Sequence, residues 1–229
     1  MAVAASVRHA EPVRQDARAG AAYAALSIAD AVLAAGPPGW RRARLLTKPL
    51  LMPLLTARTA TAAGGSDVAG VVAAQAFSWG GDVALLKEGR RPLLAGLGSF
   101  LVAHLCYVAA FRRRSSAPLL ATAGRRRLLA LCAVANTGMA LAAGRTDRSM
   151  AGPVAAYGAA LATMVTSAAA VDTDRGRGPI LAGASLFLLS DSLLGLRLFV
   201  VGEESRTLEG AVMATYTAAQ WCIASGATG

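Results

Sequence analysis

LLAGLGSFLVAHLCYVAAF, residues 93–111, runs for nineteen positions without a formal charge. Pro92 precedes it and Arg112, Arg113 and Arg114 follow it. Coiled as a helix, such a run reaches roughly 28 Å, close to the ~30 Å hydrocarbon thickness of a bilayer. The same pattern recurs in both directions. The apolar blocks predict eight helices, at 20–36, 46–62, 67–86, 93–111, 126–144, 150–171, 179–201 and 208–226. Pro92, Pro153 and Pro179 fall at or just before helix starts, where a missing N–H costs little, and Pro37, Pro38 and Gly39 end the first helix. Pro49 and Pro53 are read as lying in the first turns of the second.

Composition agrees. Of 229 residues 55% are hydrophobic and 16% charged, and the mean hydropathy is +0.49. Ordinary soluble domains carry about 25% charged residues. The expected fold is therefore all-α, a polytopic membrane bundle of about eight transmembrane helices. Abundant Ala, Gly, Ser and Thr let such helices approach closely. Residues 1–19, with Arg8, Arg14 and Arg18, are expected to form a polar, mobile tail rather than a cleavable signal. Residues 20–229 are expected to form a single membrane domain.

The net charge of +10 does not indicate nucleic-acid binding. Twenty-one of the 23 basic residues are Arg, clustered between apolar blocks at 41–44, 112–114 and 125–127. That is how a membrane protein meets anionic headgroups. Aromatic residues, at 5%, are too few for a base-stacking face. Cys106, Cys132 and Cys222 lie inside apolar blocks without CxxC spacing and read as core residues. Only two histidines exist, one of them His9 in the tail, so no histidine-rich metal site is expected.

Polar residues inside the predicted helices are Asp30, Lys48, Asp82, His104, Asp191 and Gln220. Intramembrane ionisable groups are functional-site candidates by default. With alternating helix directions, Asp30, Lys48, Asp82, Asp191 and Tyr216 fall in one half of the membrane, with His104 near the midplane. That is the pattern of a polar cavity open to one face. Arg41, Arg42, Arg44, Arg90 and Arg91 in the loops of that face suit a phosphate. Ser78 and Asp82 are one turn apart. Phe100, His104, Tyr107 and Phe111 make one stripe, and Met213, Tyr216 and Gln220 another. Plainer readings stand beside these: aromatic stripes as packing, Lys48 as a snorkelling helix-end residue, Asp82 as a structural group bonded to Ser78 or His104. Asp82 to Asp191 and Tyr107 to Tyr216 are both 109 positions, a faint trace of two four-helix halves.

In order along the chain, "KPLLMPLL" from Lys48, "FSWGGDVALL" around Asp82, "GLGSFLVAHLCYVAAF" from Gly96, "GASLFLLSDSLLGL" from Gly183 and "VMATYTAAQWCI" from Val212 resemble the lysoplasmalogenase (YhhN-like) family of integral membrane proteins. The resemblance covers about residues 25–225. It implies an eight-helix enzyme that cleaves the vinyl ether bond of a lysoplasmalogen, giving a fatty aldehyde and a glycerophospho-headgroup. It carries over onto Lys48, Asp82, His104, Tyr107, Asp191, Tyr216 and Gln220. No cofactor is expected, and with one histidine in the helices no metal either, an Asp–Asp–His set being the one alternative.

The residue types suit that chemistry. Vinyl ether cleavage needs an acid to protonate the β-carbon and a base to activate water, close to glycosidase logic with its two carboxyls. Asp82 and Asp191 are the expected pair, with His104 orienting one of them or relaying its proton. Lys48, Tyr107, Tyr216, Gln220 and Ser78 are expected to bind substrate. Expected partners are a lysophospholipid and surrounding membrane lipids. Nothing in the sequence sets an oligomeric state. The Arg and Ala bias suggests a bacterial protein, multi-pass in the inner membrane. Rival classes are a proton-coupled small-molecule or lipid transporter and a non-catalytic lipid-binding membrane protein.

Overall fold

A computed structural model describes residues 2–62, 68–202 and 204–229, with side chains from residue 16 onward. Its described residues form eight α-helices and no strand: α1 Ala2–Ala35, α2 Arg41–Ala62, α3 Ala69–Ala84, α4 Arg90–Arg113, α5 Ala123–Thr146, α6 Ala151–Ala168, α7 Arg177–Leu196 and α8 Arg206–Thr228. A π-helical turn, Arg197–Val201, extends α7. α1 begins at Ala2, well before the expected start at residue 20, so residues 2–19 of the expected polar tail are helical; Met1 lies outside the described residues. The expected start of the third helix at residue 67 also lies outside them.

Among the described residues four segments are long and apolar enough to cross a membrane on composition alone: Asp16–Ala35, α4, α5 and Arg177–Val201. The other four helices are shorter or more polar, and two of them, α6 and α8, hold much of the buried surface. α5 is the opposite case. Leu131, Val134 and Leu141 are well exposed, while Cys132 and Ala143 are its buried residues. Large apolar side chains turned outward are what a lipid-facing helix requires. The protein is a polytopic, all-α membrane bundle.

α3 packs along α4, and α7 along α8; α8 also meets α1, and α6 meets α4 and α5. Small residues set these distances. A Cβ on Gly183 of α7 would lie 2.7 Å from the carbonyl oxygen of Ala219 on α8, so only glycine allows this approach. Between the helices sits an aromatic centre. Phe187 meets the edges of Phe100, His104 and Tyr216, and Tyr107 stacks on Phe111.

α2 differs from expectation in a way that matters below. It starts at Arg41 rather than residue 46, so Pro49 and Pro53 lie inside it. Pro53 has no N–H to give the carbonyl of Pro49, its partner four residues back. Trp79 of α3 supplies the missing donor: its indole N–H reaches the Pro49 oxygen at 2.9 Å.

At the end of the bundle carrying the C-terminus of α8, Arg114 is buried and donates to the carbonyl oxygens of Ala227 (2.6 Å) and Arg175 (3.3 Å). It thereby satisfies carbonyls that a helix end leaves without donors. Gly176, at φ +82°, crosses the same helix end so closely that a Cβ would lie 1.9 Å from the Gly226 oxygen. Gly176→Ala is therefore expected to destabilise the bundle by roughly 1–3 kcal/mol, read as a lower thermal midpoint in detergent. Gly178→Ala, with open space at its Cβ, is the control and should leave the midpoint close to wild type.

Candidate functional site

The early start of α2 places Arg44 and Lys48 one turn apart on its buried face, 6% and 7% exposed. α3 presents Asp82 opposite them, one turn beyond Ser78. The Lys48 ammonium lies 3.3 Å from Asp82 Oδ1. The Tyr216 hydroxyl, from α8, donates to Asp82 Oδ2 at 2.7 Å. Asp82 thus ties α2, α3 and α8 together, and both of its oxygens are engaged. The structural alternative of a bond to Ser78 or His104 is replaced by these two contacts.

Beside this triad runs a chain of alternating charge. Arg44 lies between Glu209 and Asp30, the latter 3.4 Å away, and Asp30 also accepts from Thr47 at 2.6 Å. Arg197 reaches the other oxygen of Glu209 at 3.2 Å. Asp30 is fully buried, and alternation is what makes so many charges tolerable at low dielectric.

Asp191 projects from α7. The Tyr157 hydroxyl of α6 donates to its Oδ2 at 2.6 Å. His104 Nε2 lies 3.7 Å from the same oxygen, too far for a hydrogen bond. The imidazole is fully buried, edge-on to Tyr157 and Phe187, and among the described residues neither ring nitrogen has a hydrogen-bond partner. A second layer lies behind Asp82: Gln220 donates to Ser78 Oγ at 3.0 Å and accepts from the Tyr107 hydroxyl.

One cavity of about 940 Å³ gathers these groups. Lys48, Asp82, Asp191, Ser190 and Tyr216 line its inner part, and Leu85, Leu93, Phe100, Leu194 and Phe199 supply apolar wall. Its outer part is built from the segments that follow α1, α3, α5 and α7, all at one end of the bundle. There basic and acidic residues alternate. Arg41 pairs with Glu88 at 2.5 Å, and Arg90 with Asp147 at 3.3 Å. Bonds from the Ser149 hydroxyl and backbone N–H, with Arg90 nearby, hold the Asp147 carboxyl below its usual range.

Of the residues expected from sequence, Lys48, Asp82, Asp191 and Tyr216 line the cavity. Ser78, Tyr107 and Gln220 stand one layer behind it, and His104 stands behind Asp191. Arg41, Arg44 and Arg90 also line it, each with a carboxylate partner, whereas Arg42 and Arg91 do not. Sequence reasoning passes over Tyr157, Arg197 and Glu209. For Tyr157 a signal existed: the chain has four tyrosines, each inside a helix block, and a buried phenol needs a partner. Arg197 is a charge within a predicted span, and Glu209 lies in the first turn of the last one. Among the described residues no three His, Cys, Asp or Glu side chains gather as a metal site.

A membrane bundle with two carboxylates facing one internal cavity is the class that this geometry defines. The model of the YhhN family matches residues 43–227, and the chain belongs to that family. Proteins named lysoplasmalogenase from Mycobacterium bovis and Mycobacterium tuberculosis are each 31% identical to it over 140 residues, covering 57% of this chain and 49% of theirs. The chain thus spans about half the length of these curated relatives. No solved structure matches it.

The Lys48–Asp82 pair makes a stability prediction. Lys48→Met leaves a buried carboxylate without its cation, and should cost roughly 3–5 kcal/mol. Adding Asp82→Asn removes the charge that was stranded and should recover much of the loss. Unfolding midpoints in detergent for the single and double variants check this.

Proposed function

We propose that this chain is a lysoplasmalogenase-type membrane hydrolase, acting on the vinyl ether bond of a lysoplasmalogen or a related ether lysolipid by carboxylate acid–base catalysis. The observation that carries the reading is the pair Asp82 and Asp191: two carboxylates from different helices, lining one cavity, each oriented by a tyrosine hydroxyl. The family membership and the relatives' name support the substrate class. The cavity volume lies within the range of small-ligand sites, about 300–1,000 Å³. Its mixed-charge mouth suits a zwitterionic headgroup, and the wall of Leu93, Leu194 and Phe199 suits a hydrocarbon chain.

Asp191 is the acid in this scheme. Its Oδ2 is taken by Tyr157, and among the described residues its Oδ1 has no partner and is free to meet substrate. Its proton goes to the β-carbon of the vinyl ether, giving an oxocarbenium ion. Water adds to the neighbouring carbon and Asp82 takes the released proton, forming a hemiacetal. The hemiacetal then splits. Asp82 returns its proton to the departing glycerol oxygen, Asp191 takes the hydroxyl proton, and the aldehyde forms with both carboxyls reset. Tyr157 fixes Asp191, with the His104 ring standing behind it, and Lys48 and Tyr216 fix Asp82. The working location is the bacterial inner membrane.

Detergent-purified protein incubated with a lysoplasmalogen should release fatty aldehyde. Asp82→Asn and Asp191→Asn should each lower that rate about 10²–10⁴-fold, measured on protein still folded at the assay temperature. Asp191→Asn should unfold like wild type, and Asp82→Asn earlier, because it leaves the buried Lys48 without its carboxylate. A folded wild type that releases no aldehyde refutes the substrate assignment. Wild-type rates in both variants refute the assignment of the two carboxyls.

A further inference from the structure

On the outer surface of the bundle, between the end of α3 and the start of α4, lies a shallow groove of about 330 Å³. Val83, Ala84, Pro92 and Ala95 line it, and Lys87 and Arg91 complete it. It is separate from the aspartate-lined cavity, although Lys87 borders both. On α3, Trp79 and Val83 are one turn apart and exposed, and Lys87 follows in the short link after the helix, exposed as well. Arg91 and Ala95 repeat the arrangement on α4, one turn apart and both exposed.

The two cations are free. Glu88, the carboxylate between them in sequence, is taken by Arg41. Arg90 is taken by Asp147 and Ser149. Neither Lys87 nor Arg91 has an ion pair or side-chain hydrogen bond among the described residues. Two unneutralised cations over an apolar floor, at the end of two membrane helices, match a ligand with an anionic head and a hydrocarbon body.

We propose that this groove binds an anionic phospholipid of the surrounding bilayer, its phosphate held by Lys87 and Arg91 and one chain lying over Val83, Ala95 and Trp79. The apolar floor is what assigns a lipid in preference to free phosphate. Because Lys87 also borders the cavity, the bound lipid forms part of the cavity rim.

The test uses purified full-length protein in dodecyl maltoside micelles, titrated with phosphatidylglycerol, phosphatidylcholine or inorganic phosphate, with the thermal midpoint as readout. Phosphatidylglycerol at about a hundredfold over Kd should raise the midpoint by roughly 5–10 °C, and the other two should not. Lys87→Gln/Arg91→Gln should lose that rise. Arg145→Gln/Arg148→Gln, the same charge change at the same end of the bundle, should keep it. No rise in wild type, an equal rise in the Lys87/Arg91 variant, or loss of the rise in both variants overturns the site. An equal rise with inorganic phosphate overturns the lipid as its occupant. Neither readout depends on hydrolytic activity.

Discussion

The ion pair between Lys48 and Asp82 sets the terms for everything around it. A buried charge pair contributes little stability by itself, because desolvation offsets most of the attraction, but losing one member is costly. Its value here is positional. With Tyr216 on the second oxygen, Asp82 fixes how α2, α3 and α8 stand relative to one another. The start of α2 at Arg41 follows the same logic, since it brings Arg44 onto the face that already holds Lys48 and delivers it to Asp30 and Glu209. Asp82 is therefore both a cavity wall and a joint between three helices.

Charge is handled differently at the two ends of the bundle. At the cavity end, cations meet carboxylates in a chain from Asp30 through Arg44 and Glu209 to Arg197. At the other end, Arg114 meets backbone carbonyls at the end of α8. Toward that same end, Arg58 pairs with Asp16 at 2.9 Å and lies 4.2 Å above Trp221, which stacks on Tyr23. The buried carboxylates Asp30 and Asp82 thus stand where the cavity is, while the opposite end uses arginines as caps and as cations over aromatic faces.

Helix number and the cavity's half of the membrane were legible in the sequence because both rest on hydropathy and on rare intramembrane charges. Asp82, Asp191, Lys48 and Tyr216 stand out against apolar neighbours, and alternating helix directions sort them to one side. What stayed hidden depends on pairing. Arg44 reads as a loop residue until α2 is seen to start five residues earlier than its apolar block, and its partner Glu209 is 165 positions away. Tyr157 is marked only as a phenol inside an Ala-rich helix, and its meaning comes from Asp191 on the neighbouring helix. The equal spacing of the Asp and Tyr pairs does not extend to their bonds: Tyr216 serves Asp82, whereas Tyr107 serves Gln220.

Pro49 and Pro53 leave α2 with two missing rungs flanking Lys48, at the carbonyls of Leu45 and Pro49. One gap is bridged from outside by Trp79. The helix is thereby divided into a mouth-side turn bearing Arg44, a turn bearing Lys48 between the two gaps, and a deeper segment anchored by the Thr59–Gln75 bond. Prolines are where helices bend. Flexure there would shift Arg44 and Lys48 against their carboxylates, and relative to each other across the open rung at Leu45. The charge balance of the cavity is then a mechanical property of one helix segment, restrained at its pivot by a tryptophan on the lipid-facing side of α3.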